Sequence, residues 1–382
     1  MSAFESPERG SVLHLIDTGG PGGAETVFMQ LAHRIHAGGL QPVTVVPREH
    51  WLAGALRSAG LEPLILNSRG TFNVRYIRSL LRLVRERRVR LIHTHLLGSA
   101  VYGALVGFLT RTPVIAVMHG PTDLRAPGKL ASVKRFLLQR GCSALVAVST
   151  STREALIDFG VPARKITLIR NGVDTDTYVP VEATDLRTEL GLASEDLLIG
   201  AVGNIRSPKA YDVLLQSARL VLDAVPRAFF VIAGEGDTAA LLDQARRLGV
   251  AERVRFLGFR KSTAALYSNF DVFVSSSRSE GLSLAFLEAM AAGRPIVATR
   301  SGGPQEALVP GESGILVPTE DPQSLATALI EVLSDSGLRA RLGSAARAHV
   351  VANFSLAATV REYEALYQRF VGTARDDRVV AG

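Results

Sequence analysis

The sequence predicts an α/β protein of two doubly wound, parallel-sheet domains, and three observations carry that prediction. Short apolar runs alternate with longer segments of helical periodicity along the whole chain, the mark of repeated βαβ units. Its 382 residues are long for one domain and natural for two. With 47% hydrophobic and 21% charged residues, the chain has enough apolar material for packed cores and lacks the composition of a disordered or fibrous protein.

In the first half, apolar runs place strands at 12–17, 42–47, 90–94, 114–118, 144–149 and 166–169. Helices fit near 23–38, 50–59, 73–88, 98–109, 127–140 and 151–159. In the second half, strands fall at 198–202, 228–233, 254–257, 272–275, 296–299 and 314–317. The helices there lie near 209–224, 237–248, 261–268, 283–292, 304–308, 322–334 and 336–352. Strand signals stop over 171–185, where Pro180 and several acidic residues intervene, so the expected domains are 1–177 and 178–355. An amphipathic helix near 356–371 follows, then a tail over 373–382 expected to fray. In open α/β sheets, ligands bind outside the carboxyl ends of the strands, so the loops after strands should carry the chemistry.

The formal net charge is +7, which invites a nucleic-acid reading. Only five of the 43 basic residues are lysines, a skew that fits coding bias in a GC-rich genome better than a chosen chemistry. The basic residues are spread along the chain and no nucleic-acid motif accompanies them, so no nucleic-acid partner is expected. The densest stretch, 69–90, holds eight arginines against the single Glu86 and suits an anionic partner: a sugar nucleotide, a diphosphate lipid or a membrane surface. No apolar run approaches the ~18 residues of a membrane span. The first residues lack the basic-then-apolar order of a signal peptide, and the single Cys142 has no internal partner. The expected location is the cytoplasm, with peripheral contact on the inner face of the membrane as an open option.

Three loops carry chemical signals. Asp17-Thr-Gly-Gly-Pro-Gly-Gly-Ala-Glu25 joins the first strand to the first helix. Its glycines let backbone approach a ligand, and the helix N-terminus offers free N–H groups to an anion. It is neither a dinucleotide fingerprint, since Glu25 stands where the third glycine belongs, nor a Walker A loop. Gly203-Asn-Ile-Arg206-Ser-Pro-Lys209 follows the first strand of the second domain, and Arg206 and Lys209 there suit a diphosphate. Glu280-Gly-Leu-Ser-Leu-Ala-Phe-Leu-Glu288 is the sharpest signal, because a glutamate inside that apolar helical run is costly without a partner. Glu280 would stand just ahead of the helix beside the free amides of Leu282 and Ser283, and Glu288 could accept hydroxyl hydrogen bonds.

The E-x7-E spacing, followed by Ala289-Met-Ala-Ala-Gly-Arg-Pro-Ile-Val-Ala298 and Gly302-Gly-Pro-Gln-Glu306, resembles the signature of the GT4-type retaining glycosyltransferases, which have the GT-B fold. Pro21-Gly-Gly-Ala-Glu25, Asn171-Gly-Val-Asp174, Ala233-Gly-Glu-Gly236 and Arg255-Phe-Leu-Gly258 match further stretches of that family in order. The resemblance implies two facing Rossmann-like domains, with the last helix crossing back to the first. It implies transfer of a hexosyl group from a nucleotide-sugar donor to an acceptor hydroxyl, with retention and without a metal or other cofactor. By residue, it puts Gly22 and Gly23 at the donor diphosphate and Lys209, with Arg206 near it, at the charge on the leaving phosphate. Glu280 falls at the donor sugar, Leu282, Ser283 and Leu284 at the phosphates, and Glu288 at the ribose hydroxyls. His119 falls over the reacting centre, making Glu280, His119, Lys209 and Arg206 the catalytic candidates.

Three departures qualify the match: Asn204 occupies the usual arginine position, Ala210 follows the lysine where glycine is usual, and Gly281-Leu-Ser283 replaces Gly-Phe-Gly. Three other patterns have competing readings. Asp174-Thr-Asp176 spells a metal-binding D-x-D yet lies in the linker. His93 and His95, with His119, could form a zinc trio or simply line the site. Arg75, Arg78, Arg82 and Arg85 share a helical face with Leu81 and Val84 nearby, suiting either anionic lipid or solvent. A lipid-linked or polysaccharide acceptor is suggested by the basic first domain, although a small soluble acceptor fits equally well. A GT-B-fold epimerase or hydrolase and a non-catalytic sugar-nucleotide binder stay open as alternatives.

Overall fold

The computed structural model describes residues 10–35, 39–69, 73–124, 130–179 and 186–371. The chain divides into two compact units, 1–170 together with 358–382, and 171–357. In the first unit, β1 (Ser11–Ile16) is buried on both faces, as the near-continuous apolar run of a central parallel strand requires. It pairs in parallel with β2 (Gln41–Val46) on one side and β4 (Val89–His95) on the other. The two-residue β3 (Leu64–Ile65), β5 (Val114–Met118), β6 (Ala144–Ala147) and β7 (Ile166–Leu168) complete a seven-stranded sheet in the order β3-β2-β1-β4-β5-β6-β7. Strand order reverses between β1 and β4, so the loops after β1, β4 and β5 gather at one end, the usual ligand-binding position in such sheets.

The helices that matter for the site follow those strands. They are α1 (Gly23–Arg34), α3 (Val74–Glu86) and α4 (Leu97–Thr110), with α2 (Trp51–Ser58) before β3, and α5 (Ala131–Gly141) and α6 (Thr150–Asp158) beyond β5 and β6. The α3 helix buries Tyr76, Leu80 and Val84, so Val84 turns into the core, whereas Arg75, Arg78, Arg82 and Arg85 are exposed. The apolar companion expected beside the arginine row is therefore half missing.

The second unit opens with the single-turn α7 (Leu186–Glu189). Its six-stranded parallel sheet runs β10-β9-β8-β11-β12-β13, built from β8 (Leu197–Val202), β9 (Ala228–Ala233), β10 (Val254–Gly258), β11 (Val272–Ser275), β12 (Ile296–Thr299) and β13 (Ile315–Val317). The helices are α8 (Tyr211–Ala224), α9 (Ala239–Arg247), α10 (Ala264–Asn269), α11 (Leu284–Ala291), α12 (Gly303–Ala307), α13 (Pro322–Ser334) and α14 (Ser336–Asn353). Here the order reverses between β8 and β11, which sets the loop carrying Lys209 beside the loop carrying Glu280.

The last helix, α15 (Leu356–Val371), returns to the first unit: the Tyr367 hydroxyl meets Nδ1 of His93 at 2.5 Å, and Thr359 donates to the Arg170 carbonyl. The first boundary falls at 170/171, seven residues before the expected 177/178. Residues 171–177 belong to the second unit because Asn171 Nδ2 donates to the Leu282 carbonyl at 2.7 Å and Val173 bridges in parallel to Ser355. The second boundary, 357/358, is two residues beyond the expected 355/356. The expected tail at 373–382, and residues 70–72 and 125–129 of the basic and acceptor-side loops, lie outside the described residues. Among the described residues, no helix is long and apolar enough to cross a membrane.

Candidate active site

In the second unit, the chain leaves β8 and makes a 3-10 turn at Ser207–Lys209, ending on Ala210 with φ +51°. That left-handed backbone explains why glycine is usual after the lysine: a Cβ there is strained. Arg278 clamps the turn from the neighbouring loop, its N–H donating to the Pro208 carbonyl at 2.7 Å and its guanidinium to the Ser207 carbonyl and to Asp212. Arg278 also pairs with Glu320. Lys209 is thereby aimed at Glu280, donating to Oε2 at 2.6 Å, with side chains only 21% and 17% exposed. The Ser277 hydroxyl donates to the same oxygen at 3.1 Å. A cavity of about 10 Å³, room for about one water molecule, is lined by Lys209, Tyr211, Ser277 and Ser283 among others.

The Glu280 loop is fixed through its backbone. Its N–H donates to the Ser301 carbonyl, and its carbonyl accepts from the Gly303 N–H. Ser283 is the N-cap of α11, but its side chain makes no capping bond, which leaves the first-turn amides to a ligand or water. Glu288 lies half-buried on α11, where Oε2 accepts from the Tyr267 hydroxyl at 2.8 Å and from Thr263 at 3.3 Å. Burial pushes its carboxyl above the usual range, opposed by hydrogen bonds from Tyr267, Tyr178 and Thr263. Lys209, Glu280 and Ser283 are thus brought together, and Glu288 sits in its own hydroxyl nest. Arg206 is exposed, with no bonded side-chain partner among the described residues. Asn204 Oδ1 accepts from the Glu235 N–H at 3.2 Å and so ties the loop after β8 to the loop after β9.

In the first unit, Gly22 is the N-cap of α1, and Glu25 folds back over it. Gly23 opens α1 facing empty space: no atom lies within 4 Å of where its Cβ would stand. His119 follows β5, its N–H donating to Asp123 Oδ2 at 3.0 Å and its Nε2 lying 2.9 Å from Nδ1 of His95. Among the described residues, no group of three or more His, Cys, Asp or Glu is arranged to hold a metal.

Asp17, directly after β1, is a half-buried carboxylate whose pKa is raised to about 6, first by burial and then by the charges of Asp123 and Glu25. The Ser99 N–H donates to it and opposes that shift, so Asp17 caps α4. A carboxyl raised from 3.8 to about 6 contributes stability that is complete below the unfolded value and lost as pH rises through 6. Asp17→Asn keeps an acceptor for Ser99 without the charge. Its stability should equal the parent's near pH 4 and exceed it by about 2–3 kcal/mol at pH 7. Parallel denaturation curves at both pH values would refute this cost of charge if the two proteins stay together at pH 7.

Sequence reasoning singled out Lys209, Glu280 and Glu288, but not the residues that position them. Arg278, Tyr267 and Thr263 carry no local signal, since their partners lie 21 or more residues away in sequence, whereas Ser277 reaches Glu280 from three residues before it within the same polar loop. Gly234 and Gly303 were visible as motif glycines, although their use was not. A Cβ at Gly234 would lie 2.0 Å from the Gly203 carbonyl oxygen, and one at Gly303 would lie 1.8 Å from that of Gly281.

Two family models match consecutive stretches: Glycosyltransferase Family 4 over residues 21–177 and Glycosyl transferases group 1 over residues 182–349. The chain belongs to the GT4-type glycosyltransferases. N-acetyl-alpha-D-glucosaminyl L-malate synthase of Bacillus anthracis is 27% identical to this glycosyltransferase over 271 residues, 70% of either chain. D-inositol 3-phosphate glycosyltransferase of Corynebacterium jeikeium is 29% identical over 80% of this chain and 78% of its own. The crystal structure of Anabaena HepE in complex with UDP-glucose covers 94% of this glycosyltransferase and 100% of its own chain, with a TM-score of 0.85 at 23% identity. The fold is GT-B, built from two Rossmann-like domains, and the protein is a nucleotide-sugar glycosyltransferase.

Proposed function

We propose that this glycosyltransferase transfers a hexosyl group with retention and without a metal ion, using Lys209 and the α11 amides on the donor diphosphate and Glu280 at the donor sugar. The observation that carries this reading is the Lys209–Glu280 pair at 2.6 Å, held beside the uncapped N-terminus of α11. Cleaving a glycosyl phosphate bond builds negative charge on the diphosphate and positive charge on the sugar. A fixed cation and free amides answer the first, and a carboxylate near the ring answers the second. Glu288, in its nest of hydroxyls, is a hydrogen-bonding carboxylate suited to the ribose. A two-carboxylate hydrolase fits less well, because Glu280, in the loop before α11, is bonded to Lys209 and Ser277, while Glu288 lies on α11 among the hydroxyls of Tyr267 and Thr263. Arg206 extends the positive surface towards the same phosphates. Gly22 and Gly23 would approach the diphosphate from the first unit, and His119 the reacting centre. The exposed arginine row on α3 favours an acceptor bearing negative charge, lipid-linked or polysaccharide, and contact with an anionic membrane.

The donor is the cheapest part to test. HepE is described with UDP-glucose, so UDP-sugars head a panel of UDP-, GDP- and ADP-sugars in a thermal-shift screen without metal. At a hundredfold excess over Kd, the right donor should stabilise the protein by about 2.7 kcal/mol. Transfer with that donor should survive excess EDTA, and NMR of the product should show the anomeric configuration of the donor. Loss of activity in EDTA would restore Asp174-Thr-Asp176 as a metal site, and an inverted product would remove the retaining assignment.

A further inference from the structure

Four imidazoles of the first unit form a continuous column. His14 on β1 stands opposite His93 on β4, with ring centroids 5.2 Å apart. His93 and His95 share a strand face at 4.6 Å, and the His95 and His119 rings meet edge to edge, with centroids 5.1 Å apart and 21° between their planes. His14, His93 and His95 are buried, and His119 is half-buried. Burial holds the column neutral: it lowers His14 to about 3 and His119 to about 4, and puts His93 and His95 well below the ordinary range.

We propose that His95 is a positioning residue that fixes the tautomer of His119, so that His119 presents an Nδ1–H donor to a ligand oxygen. The inference rests on the reading that His119 meets the sugar nucleotide or its acceptor. His95 Nδ1 and His119 Nε2 lie 2.9 Å apart, so one proton is shared between two neutral rings and one ring must donate it. The other nitrogen of His95 decides which. Nε2 of His95 is buried and has no hydrogen-bond partner. The nearest alternative is the Phe28 ring, T-shaped at 5.3 Å, which offers only a weak π acceptor. A buried N–H without a partner is rarer and costlier than an unused lone pair, so the His95 proton belongs on Nδ1.

His95 then donates to Nε2 of His119, and the proton of His119 is driven to its own Nδ1. His119 has no other side-chain hydrogen bond among the described residues, so Nδ1–H is left for a sugar hydroxyl or another uncharged oxygen. It cannot take a proton at that atom. Leu96, directly after His95, holds φ +73° and ψ 160°, a backbone region that a leucine keeps only where its surroundings force it. That constraint anchors the end of β4 on which His95 stands.

The test is a long-range proton–nitrogen correlation spectrum of the full chain with 15N-labelled histidine at neutral pH, with His119 assigned by comparison with His119→Gln. The expected pattern for His119 is protonation at Nδ1. His95→Asn places a carboxamide N–H near the lost Nδ1 and should keep that pattern, while His95→Phe should release His119 towards the Nε2–H form. In the transfer assay, His95→Phe should lower kcat about tenfold with little change in KM, and His95→Asn should recover most of it, as for one hydrogen bond to a neutral partner. An Nε2–H pattern in the unmodified protein overturns the proposal whatever the activity, and this spectrum decides even if His95→Phe fails to fold. The expected pattern in a protein that transfers no sugar would uphold the positioning role and count against the role of His119 in transfer.

Discussion

Lys209→Ala is expected to lower kcat about a hundred- to a thousandfold, the usual cost of removing one fixed group that faces charge developing in a transition state. The melting temperature should change by only a few degrees. The side chain is partly exposed, and the 3-10 turn beneath it is held by Arg278 through backbone carbonyls that the substitution leaves intact. In the free protein Lys209 is bound to Glu280, so the two must separate when phosphate and sugar arrive. Glu280→Gln is therefore the informative companion. It keeps acceptors for Lys209 and Ser277 while removing the negative charge at the sugar, and kcat should fall about a hundredfold. Arg206→Ala, at an exposed side chain, should act mainly on KM. Steady-state kinetics on the three variants separate the cases. A loss of less than tenfold in Lys209→Ala would make the Lys209–Glu280 pair a structural ion pair only.

Much of this site was legible in the sequence, for reasons that can be stated residue by residue. Parallel strands buried on both faces read as apolar runs, so the ends of β5, β9, β11 and β12 agree with the expected 114–118, 228–233, 272–275 and 296–299. The loops after those runs held the charged and glycine-rich motifs. Elements without a full period escaped: β3 has two residues and α7 four, too few for any pattern. Val84 was placed near the arginine face, yet it belongs to the core stripe of Tyr76 and Leu80, about two turns and one turn away. Residues 171–177 looked like linker because their bonds are long-range, Asn171 to Leu282 and Val173 to Ser355. The same limit hid the partners of the motif residues. Nothing near Glu288 in sequence announces Tyr267 or Thr263, and although His95 was grouped with His119, their direct nitrogen–nitrogen contact was not legible. The pairing of Lys209 with Glu280 follows only from the strand order that places β8 against β11.

Gly303→Ala should impair catalysis almost as severely as loss of a charged group, although Gly303 itself offers no side chain to a ligand. A Cβ there would meet the Gly281 carbonyl oxygen at 1.8 Å, the Gly281 carbonyl carbon at 2.5 Å and Leu282 Cα at 2.9 Å. All three are backbone, so no side chain can swing aside and the 281–282 segment must retreat by about an ångström. That segment joins Glu280 to the α11 amides, and its registration depends on the Gly303 N–H bonded to the Glu280 carbonyl. Displacement on this scale costs about a hundredfold in rate where geometry is catalytic. The forced repacking should cost about 1–3 kcal/mol in stability. Gly54→Ala is the matched control. It lies inside α2 with nothing within 4 Å of the added methyl, so it should gain up to about 1 kcal/mol of stability and leave kcat unchanged. Measuring kcat and unfolding free energy on both variants distinguishes a moved loop from a merely weakened fold. If Gly303→Ala loses stability but keeps kcat within about threefold, the loop tolerates the shift and the α11 amides are not held to the tolerance that preorganised catalysis requires.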